Sequence, residues 1–296
     1  MTAEEIPIVF DCQGESLVGI VHRPAQPLAV GIVTVIAGGP QYRAGVGRNM
    51  VDMARHLSAG GVAVLRFDHR GLGDGGGRFL GFEHIGEDLQ AAVDALRRTV
   101  PELREVVLWG GCDAASGAMI HGWNIKGVTS MVLGNPFVTT EETQAAVLRQ
   151  HYLRRLGDWS FWRKLLRFEY NPLEYLRAAA GSLAGRLRPE QRGSGESSGS
   201  GSTAGAAGSP GNWIARMLEG LSRFEGPVLF LMSGRSIVSR EFDDLVSRHR
   251  AWQKVVGRSH YERIDILEAD QTFSGIGARE RVNGALLEWV TRQAAD

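Results

Sequence analysis

The chain has 296 residues, a hydrophobic fraction of 43% and 33 basic against 33 acidic side chains, so its formal net charge is zero. A zero balance provides no global field for nucleic acid. The two cysteines, Cys12 and Cys112, are too few for a disulfide scaffold, and no apolar run approaches the ~20 residues that span a bilayer. The N-terminal Met-Thr-Ala-Glu-Glu-Ile is acidic and lacks the apolar core of a secretion signal, so the expected location is the cytoplasm. A chain of this length suits one α/β domain with an insert, or two small domains.

Ile6 to Asp11 and Ser16 to His22 read as an antiparallel pair around Cys12-Gln-Gly-Glu. Ala29 to Ala37 is a continuous apolar run, hence a buried strand. It stops at Gly38-Gly39-Pro40-Gln41-Tyr42-Arg43, after which Val51 to Ala59 has helical spacing. Val62 to Phe67 is the next buried strand and leads into Asp68-His69-Arg70-Gly71-Leu72-Gly73-Asp74. Phe82 to Arg98 is helical, with Ala91, Ala92, Val93, Ala95 and Leu96 as its packing face.

Glu105 to Gly111 is a β-branched strand that ends in a cluster of small residues, and small residues suited to a closely packed helix follow. Gly110-Gly111-Cys112-Asp113-Ala114 matches small-x-nucleophile-x-small, the strand-turn-helix in which a nucleophile is held in strained backbone. A helix N-terminus aimed at the turn favours a thiolate on Cys112. The competing reading is a buried cysteine in an ordinary β-α turn. Val128 to Leu133 is a further strand, ending at Gly134-Asn135-Pro136.

The alternation breaks after Phe137. Thr139 to about Arg192 is helical and aromatic, and between Arg149 and Arg192 it carries 10 Lys/Arg against 4 acids. This predicts a helical insert with a basic face, either simply solvated or receiving an acidic partner. Gly193 to Gly211 is low-complexity Gly/Ser sequence that cannot bury a core. Trp213 to Phe224 is amphipathic. Then Pro227 to Met232 is a strand, Arg240 to Ala251 a helix, Tyr261 to Leu267 a strand and Arg279 to Arg292 a closing helix. Alternating strands and helices imply a mostly parallel sheet covered on both faces, with its site at the carboxyl ends of the strands.

The chain resembles the α/β-hydrolase fold superfamily and, more narrowly, the exosortase A system-associated hydrolases of type 1. The resemblance is carried by Gly38-Gly-Pro-Gln-Tyr-Arg43, Val64-Leu-Arg-Phe-Asp-His-Arg-Gly-Leu-Gly-Asp74, Gly111-Cys-Asp-Ala-Ala-Ser116 and Asn135-Pro-Phe137. In the insert it is carried by His151-Tyr-Leu-Arg-Arg-Leu156 and Phe161-Trp-Arg-Lys-Leu165. Ser233-Gly234 with Glu241-Phe242, and Ala269-Asp270 with Thr272-Phe273-Ser274, complete it.

The resemblance implies a mostly parallel eight-stranded sheet flanked by helices, with a core of residues 1–137 and 225–296. A helical cap would occupy 138–224 and include the flexible 193–211. It places the nucleophile at Cys112 and an oxyanion hole at the backbone N–H of Asp113 together with Gly39, or Gln41 behind it, because Pro40 has no N–H. The acid and histidine of the family pattern are replaced, by Ser236 in Ser233-Gly-Arg-Ser and by Gln271 in Ala269-Asp-Gln. The two replacements are mutually consistent, since an acid that orients a histidine has no role without it.

His84 and His69 are the candidate substitute bases, His69 reading rather as part of a structural turn network. His121 and His260 read as structural, and Asp113 is read as using its backbone with its side chain turned away. Asp270 and Glu241 are close in sequence to site positions. No His/Cys/Asp cluster has metal-ligand spacing, and Gly71 to Gly77 lacks the Lys-Ser/Thr ending of a phosphate loop, so no cofactor is expected.

Three functions fit. One is an enzyme acting on an acyl ester or thioester through Cys112, with the acyl group carried on an acyl carrier protein that docks on the basic cap. The second is a lyase, cyclase or isomerase that uses the oxyanion hole without hydrolysis. The third is an inactive acyl-binding relative.

Overall fold

A computed structural model describes residues 3–36, 42–139 and 212–293. Strands β1 (Glu4–Cys12) and β2 (Glu15–Arg23) form the expected hairpin, each somewhat longer than its apolar pattern. Gln13 and Gly14 turn it with φ of 57° and 82°, the left-handed pair that matches strand twist in a two-residue loop. Strands β3 (Val30–Val35) and β4 (Ala63–Asp68) are buried along their whole length. Strands β5 (Glu105–Gly111), β6 (Val128–Gly134), β7 (Val228–Ser233) and β8 (Tyr261–Ile266) complete one eight-stranded sheet.

The order is β1-β2-β4-β3-β5-β6-β7-β8. The β1–β2 and β2–β4 pairs are antiparallel and the rest are parallel. The chain leaves β3 towards β4 on one side and leaves β5 towards β6 on the other. The carboxyl ends of β3 and β5 therefore flank the switch point, where such sheets hold ligands.

Helices α1 (Asn49–Ala59), α2 (Gly86–Thr99), α3 (Asp113–His121), α4 (Asn212–Arg223), α5 (Ile237–Arg248), α6 (Arg250–Val256) and α7 (Ile276–Gln293) cover the sheet. Alternate residues of one strand feed opposite layers, because strand side chains point to opposite faces. Val106 and Leu108 of β5 pack with α2 and α3 residues such as Leu89 and Ala115, whereas Val107 and Trp109 pack with α1 and α7 residues such as Leu57 and Leu286.

Two helices differ from their sequence patterns. The segment from Phe82 opens as a 3-10 turn (Phe82–His84) before α2 begins. The helix expected over Arg240 to Ala251 is two helices. Ser236 caps α5 and starts it at Ile237, and extended backbone at His249 (φ −120°, ψ 112°) separates α5 from α6.

Helix α4 lies on α3. Trp213, Met217, Leu221 and Phe224, spaced three to four apart, join the core layer. A Cβ on Gly220 would stand 2.2 Å from the Met119 carbonyl oxygen, so only glycine allows this approach. Of the cap expected over 138–224, the basic and Gly/Ser-rich stretches, within 140–211, lie outside the described residues.

Among the described residues, no helix is long and apolar enough to cross a membrane, and no group of three His, Cys, Asp or Glu side chains is placed to hold a metal ion.

Candidate active site

Cys112 sits between the end of β5 and the start of α3 with φ 56° and ψ −121°. This is sparsely populated backbone for a residue with a Cβ and costs on the order of 1–3 kcal/mol. The surroundings fix it. Its N–H donates to the Gly134 carbonyl at 2.8 Å, and its own carbonyl accepts from Ser116 N at 3.2 Å and Phe137 N at 3.4 Å. The small flanks have a steric cause. A Cβ on Gly110 would lie 2.6 Å from the Ala114 carbonyl carbon and oxygen, both backbone, while one on Gly111 would meet the Trp109 ring at 3.3 Å and the Gly134 carbonyl oxygen no nearer than 4.0 Å. Gly110→Ala is therefore expected to destabilise the fold by about 3 kcal/mol, since backbone cannot step aside, and Gly111→Ala by about 1 kcal/mol. Urea unfolding midpoints of the two variants check this ordering.

Among the described residues, two side chains meet the Cys112 thiol. Gln271, from the loop between β8 and α7, points its amide Nε2 at Sγ from 3.3 Å, and Asp113 Oδ1 lies 3.2 Å from Sγ. The thiolate expected from the helix N-terminus is not the resting state. Burial, joined by the adjacent Asp113 carboxylate, pushes the Cys112 thiol up to about 12, and the Gln271 amide and the Asp113 backbone N–H act only weakly in the other direction. The neutral thiol therefore predominates at pH 7. Burial also holds the Asp113 carboxyl above its ordinary range. The neutral thiol is a donor and the carboxylate an acceptor, so S–H points at Asp113. The Asp113 side chain, expected to turn away, faces the thiol.

The Gln271 loop is held by Asn135, which follows β6. Asn135 is fully buried and has φ 46°, a left-handed conformation that Asn tolerates better than most residues. Its Nδ2 donates to Ser233 Oγ at 2.8 Å and to the Gln271 carbonyl at 2.9 Å. Its Oδ1 accepts from Ser233 N at 2.8 Å and Ser239 Oγ at 2.6 Å. Both donors and both acceptor positions of the amide are used. Asp270 braces the loop from the other side, accepting from Thr272 N at 3.1 Å, from Ser274 N at 2.8 Å and from both hydroxyls. Although partial burial alone raises it, the bonds from Ser274 and Thr272 bring the Asp270 carboxyl below its ordinary range.

Two expected site residues are elsewhere. Ser236 is buried and its Oγ accepts from Ser239 N at 3.3 Å as the N-cap of α5. Capping satisfies a helix N–H that would otherwise lack a partner, and no bond from Ser236 to Gln271 or Cys112 occurs among the described residues. His84 is exposed and lines a cleft of about 520 Å³ with Arg70, Glu83, His121 and Arg216. The 3-10 turn that carries it packs along α3, where a Cβ on Gly117 would meet Ile85 and the Phe82 carbonyl. His84 therefore approaches His121, at the end of α3 remote from Cys112, about 13 Å away along the helix.

His69 is buried beside the end of β4, with Nδ1 3.2 Å from the Arg70 carbonyl and its ring stacked on Phe79, and burial pushes it towards the neutral form. His121 Nε2 lies 2.9 Å from the Glu83 carbonyl. His260, just before the amino end of β8, packs against Tyr261 at the opposite end of that strand from the Gln271 loop. Glu241 is buried on α5 and accepts from the Thr139 hydroxyl.

The oxyanion candidates Gly39 and Gln41 lie outside the described residues. The chain is anchored where it resumes. Arg43 N donates to the buried Asp68 carboxylate at 2.5 Å, and Arg66 donates to the Arg43 carbonyl at 2.9 Å.

No family model and no curated protein matches the chain. Solved structures do. An esterase of Pyrococcus furiosus superposes with a TM-score of 0.61 at 15% identity, covering 98% of this chain and 93% of that one. The ferulic-acid-bound protein Est1E of Butyrivibrio proteoclasticus gives 0.60 at 16% identity over 98% and 100%. A lidless α/β serine hydrolase of Xanthomonas campestris gives 0.56 at 14% identity over 99% and 96%. The chain has the α/β-hydrolase fold. At these identities the likeness carries the fold alone, and the elbow at Cys112 occupies the strand-helix turn on which that fold places a nucleophile.

Proposed function

We propose that this protein is an α/β-hydrolase-superfamily enzyme of the exosortase A system-associated type, which takes the acyl group of an ester or thioester onto Cys112 and passes it to an acceptor. The observation that supports this most is the strained elbow. A buried cysteine needs no positive φ, and a cost of 1–3 kcal/mol persists where the surrounding structure over-determines it for use. The esterases and serine hydrolases sharing the fold are compatible with acyl chemistry. Gln271 stands where the family pattern has its histidine. It can orient an acyl carbonyl or an incoming acceptor but cannot take a proton, so water is a poor acceptor and hydrolysis is slow. The basic stretch between Arg149 and Arg192 suits an acidic acyl carrier protein as the donor.

A second reading, a lyase, cyclase or isomerase, is favoured by the protonated thiol. A neutral S–H beside an oxyanion hole can donate a hydrogen bond to an enolate without forming a covalent bond.

The test is intact-mass spectrometry after incubation with a panel of acyl thioesters, wild type beside Cys112→Ala. The expected result is an acyl adduct on the wild type alone. Product formed equally by both proteins without an adduct would exclude covalent catalysis and support the second reading.

A further inference from the structure

We infer that Asp113 is the proton acceptor for Cys112 in the acylation step, forming a thiol–carboxylate pair within the elbow that takes the missing imidazole's place in that step alone; the inference rests on the acyl-transfer reading above. Three observations carry it. Asp113 Oδ1 is 3.2 Å from Sγ, within reach for a bond to sulfur. Gln271, on the other side of Sγ, has no basic site. Among the described residues, His69 and His121 are committed elsewhere and His84 lies along α3 away from the elbow. The groups facing Cys112 among the described residues are Asp113 from α3 and Gln271 from the β8–α7 loop.

The step balances within the pair. As Sγ forms its bond to the acyl carbon, the thiol proton passes to Asp113 Oδ1 and the carbonyl π electrons move onto the carbonyl oxygen. When the carbonyl re-forms, the bond to the leaving oxygen or sulfur breaks and Asp113 returns the proton to that atom. The net charge of the pair and substrate stays at −1 throughout, so no new charge has to be buried.

The timing also resolves an electrostatic conflict. An ionised carboxylate next to an oxyanion hole opposes the developing charge, but Asp113 is neutral when the oxyanion exists. Burial, by holding the Asp113 carboxyl above its ordinary range, makes it a better acceptor than a solvated aspartate.

The experiment compares two rates on wild type, Asp113→Asn and Asp113→Glu. One is acylation of Cys112 by p-nitrophenyl butyrate, read by intact mass. The other is alkylation by iodoacetamide, which follows the thiolate fraction and needs no base. In Asp113→Asn, acylation is expected to fall about 100-fold, the typical contribution of a general base. Alkylation is expected to rise, because the carboxylate that keeps the thiol protonated is gone. Asp113→Glu, which retains a carboxylate, is expected to keep acylation within about 10-fold of wild type.

Opposite movement of the two rates in Asp113→Asn supports the pair. Acylation that rises together with alkylation would overturn the role of Asp113 and leave Cys112 as the acyl acceptor. A fall of both rates in both variants would assign Asp113 a structural role and overturn it equally. Absence of any adduct on wild type would overturn the acyl-transfer reading, and this inference with it.

Discussion

Gln271→His is expected to raise hydrolysis of p-nitrophenyl butyrate about 100-fold over wild type, the lower end of what a positioned general base supplies. The geometry makes the substitution close to isosteric. Gln271 Nε2 already sits 3.3 Å from Cys112 Sγ, and an imidazole Nε2 lies about as far from its Cα as a glutamine Nε2 does. The loop would not need to move, because Asn135 and Asp270 fix its backbone independently of the side chain at 271. The imidazole would take the thiol proton; the neighbouring Asp113 carboxylate favours the imidazolium but opposes the thiolate, so the gain comes from the imidazolium–thiolate attraction itself. It could then activate water for deacylation, the step that glutamine cannot assist.

The pH dependence has a definite sign. With the wild-type thiol pushed up to about 12, iodoacetamide alkylation climbs through the whole accessible alkaline range. In Gln271→His, imidazolium stabilises the thiolate, so the profile shifts to lower pH and alkylation at pH 7 increases. Unchanged alkylation and turnover would show that residue 271 does not face the thiol in solution.

Asn135→Ala is expected to cost about 4 kcal/mol, more than any substitution at the thiol itself. The loss removes a partner from the Ser233 hydroxyl, the Ser239 hydroxyl and the Gln271 carbonyl and leaves Ser233 N–H only its 3.2 Å bond to Ser239 Oγ, and each buried polar group left unsatisfied costs about 1–3 kcal/mol. Alanine also tolerates the left-handed conformation at 135 less well than asparagine. For a chain of this size the melting temperature should fall by roughly 10 °C, which differential scanning calorimetry measures. Ser236→Ala is the control. It removes a cap worth about 1 kcal/mol and should leave adduct formation on Cys112 unchanged. If Asn135→Ala melts within a degree or two of wild type, the four-bond junction does not hold β6, β7 and the Gln271 loop together.

Much of this was legible in the chain alone. The strands β3, β5 and β7 are near-continuous apolar runs because a parallel sheet is covered on both faces, so burial is written into the sequence without a period. The elbow at Cys112 is legible for a local steric reason. Gly110 must lack a Cβ because backbone of the following helix lies against it, and that demand appears within five consecutive residues. The identity of Gln271 opposite the cysteine followed from a motif rather than from a distance.

What the tertiary structure decided are relations between distant residues and the directions of side chains. Asn135 is 136 positions from the Gln271 it holds and 98 from Ser233, and no local pattern marks such a junction beyond an Asn before a Pro. His84 was near the site by strand order, yet the packing of its 3-10 turn against Gly117 carries it along α3, away from the elbow. Ser236 occupied a site position by motif, but the start of α5 takes its hydroxyl. The helix N-terminus that favours a thiolate on Cys112 is a local feature, whereas the burial and the Asp113 rotamer that push its thiol up are not. Sequence determines which groups are adjacent along the chain. Only packing determines how much water they lose and which way they face, and in a low-dielectric elbow those two quantities decide where the proton sits.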